Sequence, residues 1–82
     1  MKIKVVFYGV LKQDTGVKAQ ELELPPAQAD VRGLLEAVRQ RFDIDPRRLE
    51  TTACALNDEL VERDHPLRDG DVVGLLPPVS GG

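Results

Sequence analysis

The chain has one cysteine, one histidine and no tryptophan, and these shortages remove several kinds of chemistry at the outset. Cys54 has no partner for an internal disulfide, and a single histidine, His65, leaves no ligand spacing for a zinc site, so no metal is expected. Aromatic residues are limited to Phe7, Tyr8 and Phe42. A core must therefore be built from Leu, Val, Ile and Ala, which suits a thin two-layer domain. The net charge of -3 gives no basic footprint for nucleic acid. No apolar run approaches the roughly 20 residues that cross a bilayer, and the opening MKIKVVFYG lacks a signal-peptide core followed by small residues. Neither nucleic acid nor a membrane is expected as a partner, and the expected compartment is the cytoplasm. No glycine-rich GxxxxGKS/T loop is present to cradle phosphates, so ATP chemistry has to come from another protein.

What remains is patterned. In Lys2 to Tyr8, Ile3, Val5 and Phe7 alternate with Lys2, Lys4, Val6 and Tyr8, which predicts a half-buried strand with the first set inward. Gln13 to Gly16 has turn composition. A second strand is expected over Val17 to Leu24, ended by Pro25-Pro26, which remove two amide donors from the ladder. Asp30 is placed to cap a helix. Val31, Leu34, Leu35, Val38 and Phe42 recur at helical spacing as one apolar stripe, with Arg32, Glu36, Arg39 and Gln40 on wet faces. That helix must end near Phe42, ahead of the turn-like Asp43 to Pro46. A short helical turn opening at Pro46 and running through Leu49, a strand over Thr52 to Asn57, a turn at Asn57-Asp58 and a brief extended piece at Leu60-Val61 follow. Asp69-Gly70-Asp71 then turns the chain into a nearly all-apolar strand, Val72 to Leu76, of the kind found in the middle of a sheet.

The order β, β, α, β, short β, β predicts an α+β fold, a mixed sheet with one main helix across one face. A right-handed crossover lets the last strand run parallel to the first, which is the ubiquitin-like β-grasp arrangement. The domain is expected over residues 1–76, with residues 77–82, PPVSGG, as an extended tail. Pro77 and Pro78 cannot extend a ladder and hold the backbone near polyproline geometry, and flexibility is expected from Val79 onward. Six residues reach about 20 Å at 3.3–3.6 Å each. Gly81 and Gly82 lack Cβ atoms, so a terminal carboxylate would ride on a thread thin enough for a narrow channel in another protein. A carboxylate resists nucleophiles at neutral pH; joined to AMP, its carbonyl gains a leaving group and can accept sulfur.

The segment from His65 to Gly82, HPLRDGDVVGLLPPVSGG, and the opening IKVVFYG resemble the MoaD-type small subunits of molybdopterin synthases, a branch of the ubiquitin-like sulfur carriers that also includes the thiamin-pathway carrier. The resemblance extends over essentially the whole chain. It implies that Gly82 is adenylated by a MoeB-type activating enzyme at the expense of ATP and becomes a thiocarboxylate, a C-terminal 1-thioglycine. It implies that Gly81 and the rest of the tail enter a MoaE-type large subunit, which contributes the catalytic side chains. Sulfur would pass there to a cyclic pterin precursor, in a heterotetramer where two small subunits flank a dimer of large ones. No cofactor would be bound by this chain. Relatives often carry aromatic residues in the last strand, where this chain has Gly74, Leu75 and Leu76.

Strand alternation places Val6, Tyr8, Ala55 and Leu76 on the open face of the sheet, and this apolar patch is the expected partner surface, with Pro77, Pro78, Val79 and Ser80 beyond it. Cys54 is expected as a small core hydrophobe and His65 as a loop residue without a catalytic partner. Asp69 and Asp71 are expected to form a turn, and Arg47-Arg48 and Lys2-Lys4 to be solvated faces. Two alternatives stay open at this level: a carrier serving thiamin, tRNA thiolation or another sulfur pathway, and a ubiquitin-like interaction module whose glycines do no chemistry.

Overall fold

The computed structural model describes residues 1–78. The alternating opening segment forms β1 (Lys2–Phe7), with Ile3, Val5 and Phe7 buried. Two further helices and four further strands follow a first helix: α1 (Val10–Thr15), β2 (Ala19–Glu23), a 3-10 turn over Pro26–Gln28, α2 (Val31–Phe42), α3 (Pro46–Glu50), β3 (Ala53–Leu56), β4 (Glu59–Val61) and β5 (Val72–Leu76). The strands make one five-stranded sheet in the order β2-β1-β5-β3-β4. β1 pairs antiparallel with β2 and parallel with β5, bringing Val6 beside Gly74, and β3 pairs antiparallel with both β4 and β5. This is the mixed β-grasp sheet that the element order predicts.

α2 lies across one face and buries Val31, Leu34, Leu35 and Val38 against Ile3, Val5, Phe7, Val73 and Leu75. Each large apolar side chain removed from water in this way contributes about 1.5–3 kcal/mol. Phe42 closes the stripe by meeting Phe7 edge to face, ring centroids 5.3 Å apart. Asp30 caps the helix as expected, its carboxylate accepting from the Gly33 amide at 2.7 Å. Other amides of the first turn are taken up by the segment before β5: Val31 donates to the His65 carbonyl and Arg32 to that of Arg63, while Leu67 donates back to Ala29. The backbone of the His65-Pro66-Leu67 segment thus holds the helix start to the sheet.

The segment read as a turn, Gln13 to Gly16, is instead largely helical, and the second strand starts at Ala19 rather than Val17. α1 has no side-chain cap; it is held by the full burial of Leu11 and by Gly16, whose left-handed φ of 77° lets its amide close on Lys12 at 2.8 Å. Tertiary burial, not local propensity, makes this helix. Gly33 is a second feature of packing. A Cβ there would collide with the backbone carbonyl of Gln28, so the 3-10 turn can lie on α2 only where no side chain exists. Gly33→Ala is therefore expected to cost roughly 1–3 kcal/mol despite alanine's better helix propensity, read as a lower denaturant midpoint at unchanged slope.

Candidate functional site

Among the described residues, no helix covers the face of the sheet away from α2. Alternation along β1 turns Val6 outward, and Tyr8 follows it just past the strand's end. On β5, Gly74 and Leu76 lie outward while Val73 and Leu75 are fully buried. The pairing of Ala55 with Gly74 and of Ala53 with Leu76 adds the outer side of β3. Tyr8, Ala55 and Leu76, together with Val6, therefore line one shallow trough of about 550 Å³. Tyr8 is 48% exposed and Leu76 36%. The trough has a floor because of Gly74: a Cβ at that position would sit 3.1 Å from Cε2 of Tyr8, so the ring lies over the glycine.

Two apolar members of this surface, and the turn residues Asn57 and Asp58 at its edge, were not singled out from the sequence. Leu60, 74% exposed, and Val72 also line the trough. The signal for Leu60 was available, since a two-residue turn at Asn57-Asp58 sets Leu60 opposite the outward Ala55. Across β1 and β2, Lys2 faces Glu23 and Lys4 faces Glu21, so that side of the open face carries matched opposite charges rather than a basic patch.

β5 leads directly from Leu76 to Pro77, so the trough and the root of the tail share one strand. Gly9 makes the sharp turn from β1 to α1 with φ +55°, and a Cβ on it would be 3.2 Å from Cγ of Pro77. Pro77 is half-buried against this turn and Pro78 is exposed. Both border a hollow that also contains Arg47 and Arg48. Those arginines are exposed, as expected of a solvated face, and each also has a carboxylate partner: Arg48 pairs with Asp14 at 3.0 Å, joining α3 to α1, and Arg47 pairs with Asp45 at 3.3 Å. Val79, Ser80, Gly81 and Gly82, the remaining predicted site residues, lie outside the described residues.

The other reactive side chains have structural roles. Cys54 is buried in β3, with an Arg63 N–H donating to its Sγ at 3.4 Å. Burial pushes its thiol up, partly opposed by the Arg63 charge, so the reactive thiolate is disfavoured. Arg63 also donates to the carbonyls of Leu49 and Glu50 at the end of α3. Asp69 accepts from the Lys2 amide at 2.6 Å and Asp71 from the Arg68 amide at 2.8 Å, fastening the turn that begins β5 to the start of β1. Among the described residues, no group of three His, Cys, Asp or Glu side chains could hold a metal ion, and no helix is long and apolar enough to cross a membrane.

With this geometry in place, comparison with known proteins is specific. The chain is 37% identical to the molybdopterin synthase sulfur carrier subunit of Escherichia coli (strain K12), over 98% of this chain and 99% of that protein. It is 34% identical to a chain in the complex of subunits 1 and 2 of the molybdopterin-converting factor from Helicobacter pylori 26695, with all of both chains covered and a TM-score of 0.68. The small archaeal modifier protein 1 of Haloferax volcanii, 17% identical with 95% of this chain and 98% of that one covered, has the same fold at a TM-score of 0.84. The sequence pattern of the ThiS family matches residues 5–82, nearly the full length and including the terminal Gly81-Gly82, and the chain belongs to that family.

Proposed function

We propose that this chain is the sulfur carrier subunit of a molybdopterin synthase, and that the carboxylate of Gly82 is the group charged and discharged. The observation that carries this reading is the end-to-end 37% identity to the E. coli carrier subunit. The geometry supports it: an uncovered apolar trough stands on the strand from which the tail leaves, so one partner can grip the sheet and receive the tail together. Residues 1–76 act as the platform. Pro77 and Pro78 direct the exit, and Val79, Ser80 and Gly81 form the thread.

The chemistry follows from what a carboxylate can do. A separate MoeB-type enzyme joins Gly82 to AMP from ATP, with pyrophosphate leaving. Hydrosulfide then adds to the carbonyl carbon and AMP departs, so a C–S bond replaces a C–O bond. The thiocarboxylate sulfur adds to an electrophilic carbon of the pterin precursor, from which an oxygen substituent departs; water next cleaves the acyl–sulfur bond, leaving sulfur on the pterin and regenerating the carboxylate. A dithiolene needs two sulfurs, which suits two charged carriers on a dimer of MoaE-type large subunits. The large subunit supplies the catalytic side chains, and the cycle runs in the cytoplasm.

The test is a single-turnover reaction of charged chain, large subunit and cyclic pterin precursor, followed by intact mass. The chain should return to its carboxylate form only when all three are mixed. A chain that keeps its sulfur there but discharges to a thiamin-pathway or tRNA acceptor would assign it to another pathway.

A further inference from the structure

The turn joining β3 to β4 places both Asn57 and Asp58 at positive φ, 49° and 73°. Two-residue hairpin turns of this kind favour Asn followed by Gly. Asn57 fits. Asp58 tolerates the left-handed region better than most residues, yet less well than glycine would. A carboxylate therefore stands where turn stability alone favours no side chain.

Asp58 lines the trough at the end where Asn57 donates to the Val72 carbonyl, near Leu60 and at the opposite end of β5 from Leu76, and it is the one carboxylic acid among the lining residues. The ion pairs among the described residues involve other acids, so Asp58 stands at the trough without one. On the far side of the open face, by contrast, Lys2 faces Glu23 and Lys4 faces Glu21. A protein that covers Leu60 and Val72, at that end of the trough, also strips water from Asp58. Losing that water without a counter-charge would oppose docking strongly, whereas a cation placed against it turns the same group into an attraction.

We propose that the subunit docking on this face presents an Arg or Lys side chain to Asp58 beside an apolar anchor that fills the trough, so that Asp58 selects the partner by charge. The inference rests on the docking role assigned to this face above. It also gives the turn a trade: the residue that improves partner selection is not the one that best stabilises the hairpin.

The test is binding of the intact chain to the purified large subunit of the same organism's synthase at about 0.05 M and about 0.5 M salt. The variants are Asp58→Asn, Asp58→Gly and Leu76→Asp. Both Asp58 variants should bind about tenfold more weakly at low salt, with the gap narrowing to about twofold at high salt. Asp58→Gly should also melt roughly 2–4 °C above the parent. Asp58 variants that bind as tightly as the parent, or that lose affinity equally at both salts, overturn the charge pairing; if Leu76→Asp still abolishes binding, the docking face itself survives. A Leu76→Asp chain that binds normally removes the docking face and this inference together.

Discussion

Appending a single alanine after Gly82 is expected to abolish sulfur charging while leaving the melting temperature of the chain unchanged. The activating step needs a carboxylate, and in the extended chain the Gly82 carbonyl becomes part of an amide, with no anionic oxygen to attack ATP. The new carboxylate lies about 3.3–3.6 Å farther along and carries a Cβ into a channel suited to glycine. Misplacement by even about 1 Å commonly costs about a hundredfold in rate, so charging should fall by at least that factor. The measurement is intact mass after incubation with the activating enzyme, ATP and a sulfide source. Because the five-stranded sheet lies within residues 1–78, a Tm within about 1 °C of the parent would show that chemistry, not folding, was lost.

Leu76→Asp carries the second large effect. The side chain is directed away from the core, between β1 and β3, and it borders the trough with Tyr8 and Leu60. Covering a leucine there is worth about 1.5–3 kcal/mol, and a carboxylate would instead have to be desolvated. Binding to the large subunit should weaken about a hundredfold or more, as measured by titration calorimetry. Stability should fall by only about 1 kcal/mol, since the loss is one of strand preference at an exposed position. Val73, on the same strand and fully buried, provides the contrast: Val73→Asp should prevent folding outright. Tyr8→Asp should resemble Leu76→Asp in binding, because the ring over Gly74 forms part of the same surface.

The sequence was most legible where a single period dominated. The two-residue alternation of Ile3, Val5 and Phe7 and the helical spacing from Val31 to Phe42 each specify a buried face without reference to the rest of the chain. Together they fix which side of the sheet is free, and hence that Tyr8, Ala55 and Leu76 share it. α1 was not legible, because VLKQDT carries only two apolar residues and no capping side chain; its helix exists through Leu11 in the core. The need for glycine at position 33 was hidden for a similar reason, since it arises from a carbonyl five residues earlier folding back onto α2. Leu60 was missed although the hairpin register contained it. A three-residue edge strand offers too little alternation to announce its outward side until its turn is counted.

The competing site for sulfur within this chain is Cys54, and the fold argues against it: the thiol is buried and burial raises its pKa, leaving little thiolate to react. The most direct measurement follows from this contrast. After charging, cleavage at arginine separates the peptide 69–82, which ends in Gly82, from the peptide 49–63, which contains Cys54. Tandem mass spectrometry should locate one oxygen-to-sulfur exchange on the terminal residue of 69–82 and none on 49–63, and a Cys54→Ala chain should charge to the same extent. Sulfur found on Cys54 instead, with the terminal carboxylate unchanged, would contradict the account.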